Sequence, residues 1–306
     1  MEAALILLLA FGLDLWRGEP RRFHPVLWMG AFIRRWPRPT TPTLALTSGL
    51  LLVLAGVLLF GAMGLAGSWI ASWLPLWLGI PFSAMLLKPM FSVKALLEAG
   101  HSVMRPLLAG NVEDARHELA THLVSRDTST LDENAIAGAT ISSISENFTD
   151  SIVGPLLAFA LFGLPGAWAY RFLNTADAMV GYRTRSLEYF GKPAARLDDV
   201  ANWIPARLAA LFLHVAGWLR IGFIPPTLIL RERSKTPSPN GGWTMGSAAV
   251  LLGVRLEKPG VYCLNPRGRL PGAADIQSAI RLTSMATAGF TVVLGLTIYG
   301  VSLFHF

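Results

Sequence analysis

From about residue 43 to residue 67 the chain reads LALTSGLLLVLAGVLLFGAMGLAG, without one charged side chain. A helix needs roughly 20 apolar residues to cross a hydrocarbon core of about 30 Å. Within lipid every backbone N–H and C=O must be bonded inside the protein, so a run of this length is confined to helix. SWIASWLPLWLGIPFSAMLL follows almost at once and predicts a helical hairpin. Further spans are expected at 152–173, at 206–229, which carries Arg207 and Arg220 and is interrupted near Pro225-Pro226, and at 283–306. The first residues, AALILLLAFGLDLW, fall short of a full span and have no basic leader, so they read as an uncleaved embedded helix rather than a signal peptide. At 53% hydrophobic and 15% charged over 306 residues, the chain is too apolar for an ordinary soluble domain. The expected fold is all-α: a polytopic integral membrane protein with about four to six embedded helices, some of them broken or re-entrant.

The net charge of +7 matters less than its placement. Arg17, Arg21, Arg22, Arg34, Arg35 and Arg38 crowd the segment before the first strong span, which the positive-inside rule assigns to the cytoplasm. A hairpin then returns the chain to the same side at Lys88 to Lys94. The basic residues are spread over loops beside spans and follow no recognition motif, which argues against nucleic acid as a partner and for the lipid bilayer.

Within one membrane enzyme domain covering 1–306, two polar segments stand out. Residues 91–145 have apolar side chains at three- and four-residue steps and predict a cytoplasmic pair of amphipathic helices, with Asn111 capping the second. Asp127 to Ser129 offers another cap before LDENAIAGATISSISEN. Residues 231–281 read as cytoplasmic loop, then helix around GSAAVLLGVRL, then loop again through VYCLNPRG, with no β-hairpin signature of weight. A full crossing by 152–173 would put Arg183, Arg185, Lys192 and Arg196 outside, against the charge rule. The Pro and Gly of IVGPLLAFALFGLPGAW instead suggest an interrupted helix lining a cytoplasm-facing cavity.

Residues 127–207 hold acids and amides at helical spacing inside apolar sequence. An ionisable group near the bilayer centre costs roughly 2.5 to 3.5 kcal/mol, so it normally faces a partner, an ion or water. Glu146 and Asp150 are one turn apart with Asn147 beside them; Asn174 and Asp177 repeat the step; Asp198-Asp199 with Asn202 gives D-D-x-x-N. Hard oxygen donors so spaced suit Mg²⁺ held through one or two carboxylates and a phosphorylated substrate. The alternative for any single acid is a buried ion pair with Arg171, Arg183, Arg185, Arg196 or Arg207. Arg183, Arg185 and Lys192 have the chemistry to bind phosphate or carboxylate, or to face anionic headgroups. Ser238-Pro239-Asn240-Gly241-Gly242-Trp243 either presents amides to an anion or is a turn. There is no G-x-x-x-x-G-K-[ST] loop. Cys263 is the only cysteine, and the histidines lack zinc-site spacing.

Several longer blocks resemble the adenosylcobinamide-phosphate synthase family (CobD/CbiB): GEPRRFHPVLWMG, LVSRDTSTLDE, SENFTDSIVGP, NTADAMVGYRTRSLEYFGKPAARLDDVANWIPARL, SPNGGW and DIQSAIRL. Departures are local: Glu19 stands where the early G-D-P motif has aspartate, Ser151 where glycine is usual, and SPNGGW where SPNAGW is commoner. The resemblance implies a ligase of cobalamin (vitamin B12) biosynthesis. It would form an amide, with ATP, between the free propionate carboxylate of the corrinoid adenosylcobyric acid and aminopropanol or aminopropanol phosphate. On this reading Glu146, Asp150, Asp177 and Asp199 are catalytic, and the first three are Mg²⁺ ligands. Asn147, Asn174, Asn202, Arg183, Arg185, Lys192, Ser238 and Asn240 bind substrate or phosphate. The site would face the cytoplasm from a bacterial cytoplasmic membrane, with other enzymes of the pathway as further partners. Two other classes use comparable acids: an Mg²⁺-dependent intramembrane prenyltransferase, which needs a lipid-open apolar tunnel, and a transporter with midplane acids, which generally shows an inverted repeat.

Overall fold

The computed structural model describes residues 1–19, 24–182, 184 and 187–304. Among the described residues thirteen α-helices run in order α1 (Glu2–Arg17), α2 (Pro25–Arg35), α3 (Pro42–Ser72), α4 (Leu76–Leu87), α5 (Lys94–Leu108), α6 (Val112–His122), α7 (Glu133–Phe148), α8 (Gly154–Val180), α9 (Lys192–Ala201), α10 (Trp203–Ile221), α11 (Pro226–Glu232), α12 (Gly241–Leu251) and α13 (Ala273–Phe304). Five stretches of the described residues are long and apolar enough to cross a membrane: Pro42–Ser72, Leu76–Leu108, Glu133–Val180, Trp203–Ile221 and Ala273–Leu303. The protein is thus a polytopic all-α membrane protein, as its charge-free runs require. The hairpin turn falls at Trp73–Pro75, so residues 68–72 extend α3 rather than opening the second arm.

The chain forms two compact units, one of residues 1–92, 154–202 and 293–306, the other of 93–153 and 203–292. In the first, α3 lies along α8 through small residues. A β-carbon at Gly56 would stand 1.9 Å from Phe172 Cζ, and one at Gly64 2.7 Å from the Leu164 carbonyl oxygen. Helices in lipid associate mainly by such close packing, because apolar side chains gain little by leaving a hydrocarbon solvent. Phe172 is fully buried and stacks on Phe60 with ring centres 5.2 Å apart. The expected interruption of α8 lies at Gly163, whose φ of 65° is the left-handed conformation glycine tolerates, followed at once by Leu164-Pro165.

In the second unit α5, α6, α7, α12 and the start of α13 surround a core that includes Val103, Leu119, Ile136, Ile144 and Ile280. Asn111 caps α6, its side chain accepting from the Asp114 amide at 3.2 Å. The cap of α7 is Asp132, which accepts from the Ala135 amide at 2.7 Å; Asp127 instead closes a local turn by accepting from Ser129. The sequence also gave no warning of a short antiparallel hairpin, β1 (Leu256–Lys258) with β2 (Tyr262–Leu264), turning at Gly260 with φ 72°. Three residues per strand are too few to show alternation, and the fully buried pair Leu256 and Leu264 anchors it.

Candidate functional site

In the first unit the last turns of α8 and α9 gather acids and amides. Asp198 is buried, and its Oδ2 accepts from Asn202 Nδ2 at 2.9 Å. Asn202 Oδ1 in turn accepts from the Tyr170 hydroxyl at 2.6 Å, and Asn174 hydrogen-bonds to Asp198 as well. Tyr170 reaches this position across Gly154, where a β-carbon would lie 2.0 Å from its hydroxyl oxygen. Asp198 Oδ1 has no partner among the described residues. Burial first, then the neighbouring charge of Asp177, pushes the Asp198 carboxyl up to about 7. Asp177 is half-buried; a β-carbon at Gly181 would fall 2.0 Å from its Oδ1, so the chain leaves α8 directly over that carboxylate.

The expected residues Asn174, Asp177 and Asn202 therefore do assemble, with Asp198 as the buried acid and Asp199 half-buried beside it. The signal for choosing between the adjacent aspartates was the face of α9, where Gly191, Ala194 and Asp198 recur at helical steps and are all buried. Lys192 is exposed at the start of α9. Arg183 and Arg185 lie outside the described residues. Among the described residues, no three acidic, histidine or cysteine side chains are grouped to hold a metal ion.

In the second unit Glu146 and Asp150 do not share a regular α-helical face. Residues Thr149–Val153 form a π-helical turn, and Asp150 belongs to it. Pro155, one residue beyond Gly154, has no N–H for the carbonyl four residues back, and widened turns of this kind recur at functional sites. Asn147 donates from Nδ2 to the Ser143 carbonyl of its own helix at 2.9 Å. Glu146 is exposed, with Oε1 3.1 Å from where a β-carbon on Gly241 would stand, so the carboxylate lies at the N-terminal end of α12. Tyr262 hydrogen-bonds to Ser142, and burial raises its phenol above the ordinary value, as does the Glu146 charge. The SPNGGW segment is the turn that opens α12. Its Ser238 Oγ accepts from the Asn240 amide at 3.2 Å, and Asn240 Oδ1 accepts from Arg207 Nη1 at 3.4 Å.

The family model described as CobD/Cbib protein matches residues 7–283. The chain belongs to the CobD/CbiB family. It is 36% identical to a probable cobalamin biosynthesis protein CobD of Methanococcus vannielii, covering 98% of each chain. It is 38% identical to one of Methanothermobacter thermautotrophicus over 95% of this chain and 97% of the relative. The cobalamin biosynthesis protein CobD of Rhodobacter capsulatus is 35% identical over 97% and 98%. No solved structure matches.

The CobD/CbiB motif near the start, GEPRRFHPV, builds a charge network that spacing did not reveal. Lys88 Nζ lies 3.2 Å from Asp14 Oδ1 and 3.3 Å from Glu19 Oε1, with Lys88 and Asp14 both buried. Glu19 Oε2 bonds His24 Nε2. His24 Nδ1 accepts from the Val26 amide at 3.2 Å, so the ring proton sits on Nε2 and is donated to Glu19. Burial opposes ionisation of Glu19. The His24 hydrogen bond, the Lys88 charge and the Ser92 hydroxyl outweigh it and hold the carboxyl down at about 2. The two oxygens of the Glu19 carboxylate reach His24 and Lys88 respectively. A cavity of about 750 Å³ opens beside this network, walled by Leu13, Arg17, Trp28, Met85 and Trp168.

Proposed function

We propose that this CobD/CbiB chain is an ATP-dependent acid–amine ligase of cobalamin biosynthesis. It would join (R)-1-aminopropan-2-ol or its O-phosphate to the free propionate carboxylate of adenosylcobyric acid. The observation that carries the reading is the paired Asp177 and Asp198 with an unpartnered buried carboxylate oxygen and two side-chain amides against them. A carboxylate does not accept an amine at neutral pH, so its oxygen must first be made a leaving group. Attack of the propionate oxygen on the γ-phosphorus of ATP releases ADP and gives an acyl phosphate. The amine nitrogen then adds to the acyl carbon, phosphate departs, and the ammonium proton passes to a carboxylate.

Asp177 and Asp198 fit Mg²⁺. Their donors are hard oxygens, their mutual repulsion raises the free energy of the empty pair, and Asp177 stands in the last turn of α8, the negative pole of that helix. When bound, the metal would neutralise phosphoryl charge. Asn174 and Asn202 orient the pair, and Asp199 adds negative charge at its edge. Glu146 and Asp150 are the candidate proton acceptors for the amine, with Asn147 beside them. Arg183, Arg185, Lys192, Ser238 and Asn240 are assigned to phosphate or corrinoid carboxylate. Arginine placement ahead of α3 supports a site facing the cytoplasm from a bacterial cytoplasmic membrane. The test is purified protein with adenosylcobyric acid, aminopropanol phosphate, ATP and Mg²⁺, each omitted in turn. Amide product only from the complete mixture is expected, and product without ATP overturns the ligase reading.

A further inference from the structure

Two cations in the second unit share one aromatic ring. The Arg207 guanidinium lies 3.9 Å from the centre of the Trp203 ring and 4.9 Å from that of Trp243, and the Arg233 guanidinium lies 4.8 Å from Trp243. Among the described residues neither makes an ion pair with an acid. The carboxylate next in sequence, Glu232, is already engaged, with Lys235 at 2.7 Å and the Asn265 amide at 2.7 Å. The indole face attracts each guanidinium, but the two repel one another, and the ring does not cancel that repulsion.

Both arginines are held in place. Arg207 Nη1 donates to Asn240 Oδ1 at 3.4 Å and to the Trp203 carbonyl oxygen. Arg233 is set by its backbone: a β-carbon at Gly242 would fall 2.1 Å from its carbonyl oxygen, so only glycine lets the end of α11 rest on the first turn of α12. Asn240 occupies the cap position of α12 without making a side-chain cap, and its oxygen serves Arg207 instead. Glu146 already stands at the positive end of α12, so the free positive charge here is that of the two side chains rather than of the helix.

We propose that Arg207 and Arg233, splayed on Trp243, form a two-pronged site for the phosphoryl oxyanions of a phosphorylated ligand. The ligand class rests on the phosphate chemistry proposed above. Each planar guanidinium presents a fork that matches phosphate oxygens, and an anion between them removes the repulsion that the bare pair carries. Two sources offer the same chemistry, a nucleoside triphosphate and the phosphomonoester of the amino alcohol.

Titration calorimetry on the full-length protein in phosphatidylcholine nanodiscs, without corrinoid or Mg²⁺, separates them. The probes are ATP, pyrophosphate, aminopropanol phosphate and unphosphorylated aminopropanol. R233Q, an exposed position, should weaken at least one phosphorylated probe by about tenfold or more, as expected for loss of a charge-assisted bidentate contact, and leave aminopropanol unchanged. R207K retains the charge without the fork and should weaken the same probe. Loss for ATP and pyrophosphate assigns the nucleotide, and loss for aminopropanol phosphate alone assigns the amine substrate. Wild-type affinity of both variants for every phosphorylated probe overturns the site. So does an effect of the variants that appears only when phosphatidylglycerol is added to the nanodiscs, as altered retention of that lipid, which would make the pair a headgroup anchor. Unchanged phosphate affinity in variants of an active ligase sinks the site alone. Lost affinity in a protein that makes no amide sinks the ligase reading alone.

Discussion

Replacing Asp198 with asparagine should make the protein more stable at alkaline pH, against the usual rule that altering a buried polar residue destabilises. Asp198 is 8% exposed and its carboxyl rises from 3.8 to about 7 in the folded chain. The proton is held more tightly folded than unfolded, so the folded state is favoured while the group stays protonated. That advantage is complete below about pH 4 and is lost as pH climbs to about 7. Burial and the like charge of Asp177 both act against the ionised form of Asp198 and not against the protonated one. Asparagine keeps an oxygen to accept from Asn202 and carries no charge. Unfolding followed by circular dichroism in detergent should show wild-type protein losing stability between pH 5 and pH 8, while D198N changes little over that range. Adding Mg²⁺ at pH 8 should restore the wild type and leave D198N unmoved, since the metal relieves the same repulsion the mutation removes. A wild type as stable at pH 8 as at pH 5 without metal, or a D198N less stable than wild type at pH 8, would refute the electrostatics.

Lys88→Met removes the cation 3.2 Å from the fully buried Asp14 and should destabilise by about 3 to 5 kcal/mol, read as a fall in melting temperature. Glu19 runs opposite to Asp198: held at about 2, it stabilises fully above about pH 4.5, and that contribution disappears as pH falls toward 2, so E19Q should flatten the acid limb of the stability profile. Gly56→Ala drives a methyl group into Phe172 Cζ, and because Phe172 is wedged against Phe60 and Phe32 the expected loss is at least about 1 to 3 kcal/mol, with Gly61→Ala, whose nearest neighbour is 3.7 Å away, as the tolerated control. Tyr170→Phe removes the donor to Asn202 and should cost about 1 kcal/mol of stability while lowering Mg²⁺ affinity through a less fixed Asp198.

The spans were legible because lipid allows so few alternatives: a charge-free run such as 43–67 has to be helix, and the Gly and Pro at 163–165 had to interrupt α8. Residue types in the candidate site were legible for a related reason, since acids in apolar sequence need an explanation. What stayed hidden was rotation and distance. Adjacent residues on a helix point about 100° apart, so the choice of Asp198 over Asp199 turned on a face that only the buried Gly191 and Ala194 define. The π-helical turn around Asp150 removed the one-turn alignment with Glu146 that plain α spacing predicts. Lys88 read as one more cytoplasmic cation, because its partners Asp14 and Glu19 belong to distant sequence.

The carboxylates share a placement that follows from the lipid solvent. A regular membrane helix uses all of its internal backbone bonds and offers a ligand only side chains, so polar chemistry concentrates where the helix departs from regularity. Asp150 lies in the π-helical turn, and Asp177 lies four residues before Gly181, whose amide donates to the Asp177 carbonyl at 2.7 Å as α8 ends. At that end the exposed carbonyls are the negative pole, where a carboxylate is the wrong charge and a lysine or arginine would be the stabilising choice. The last turn of α8 has no basic residue. Asp198 adds a second negative group to the same place, and Asn174 and Asn202 steady it without neutralising it. A chain with no more to gain than stability would not leave two carboxylates and a helix terminus of one sign together. The arrangement becomes favourable when a cation arrives, which makes the instability of the bare site and its capacity to bind a divalent ion a single electrostatic fact.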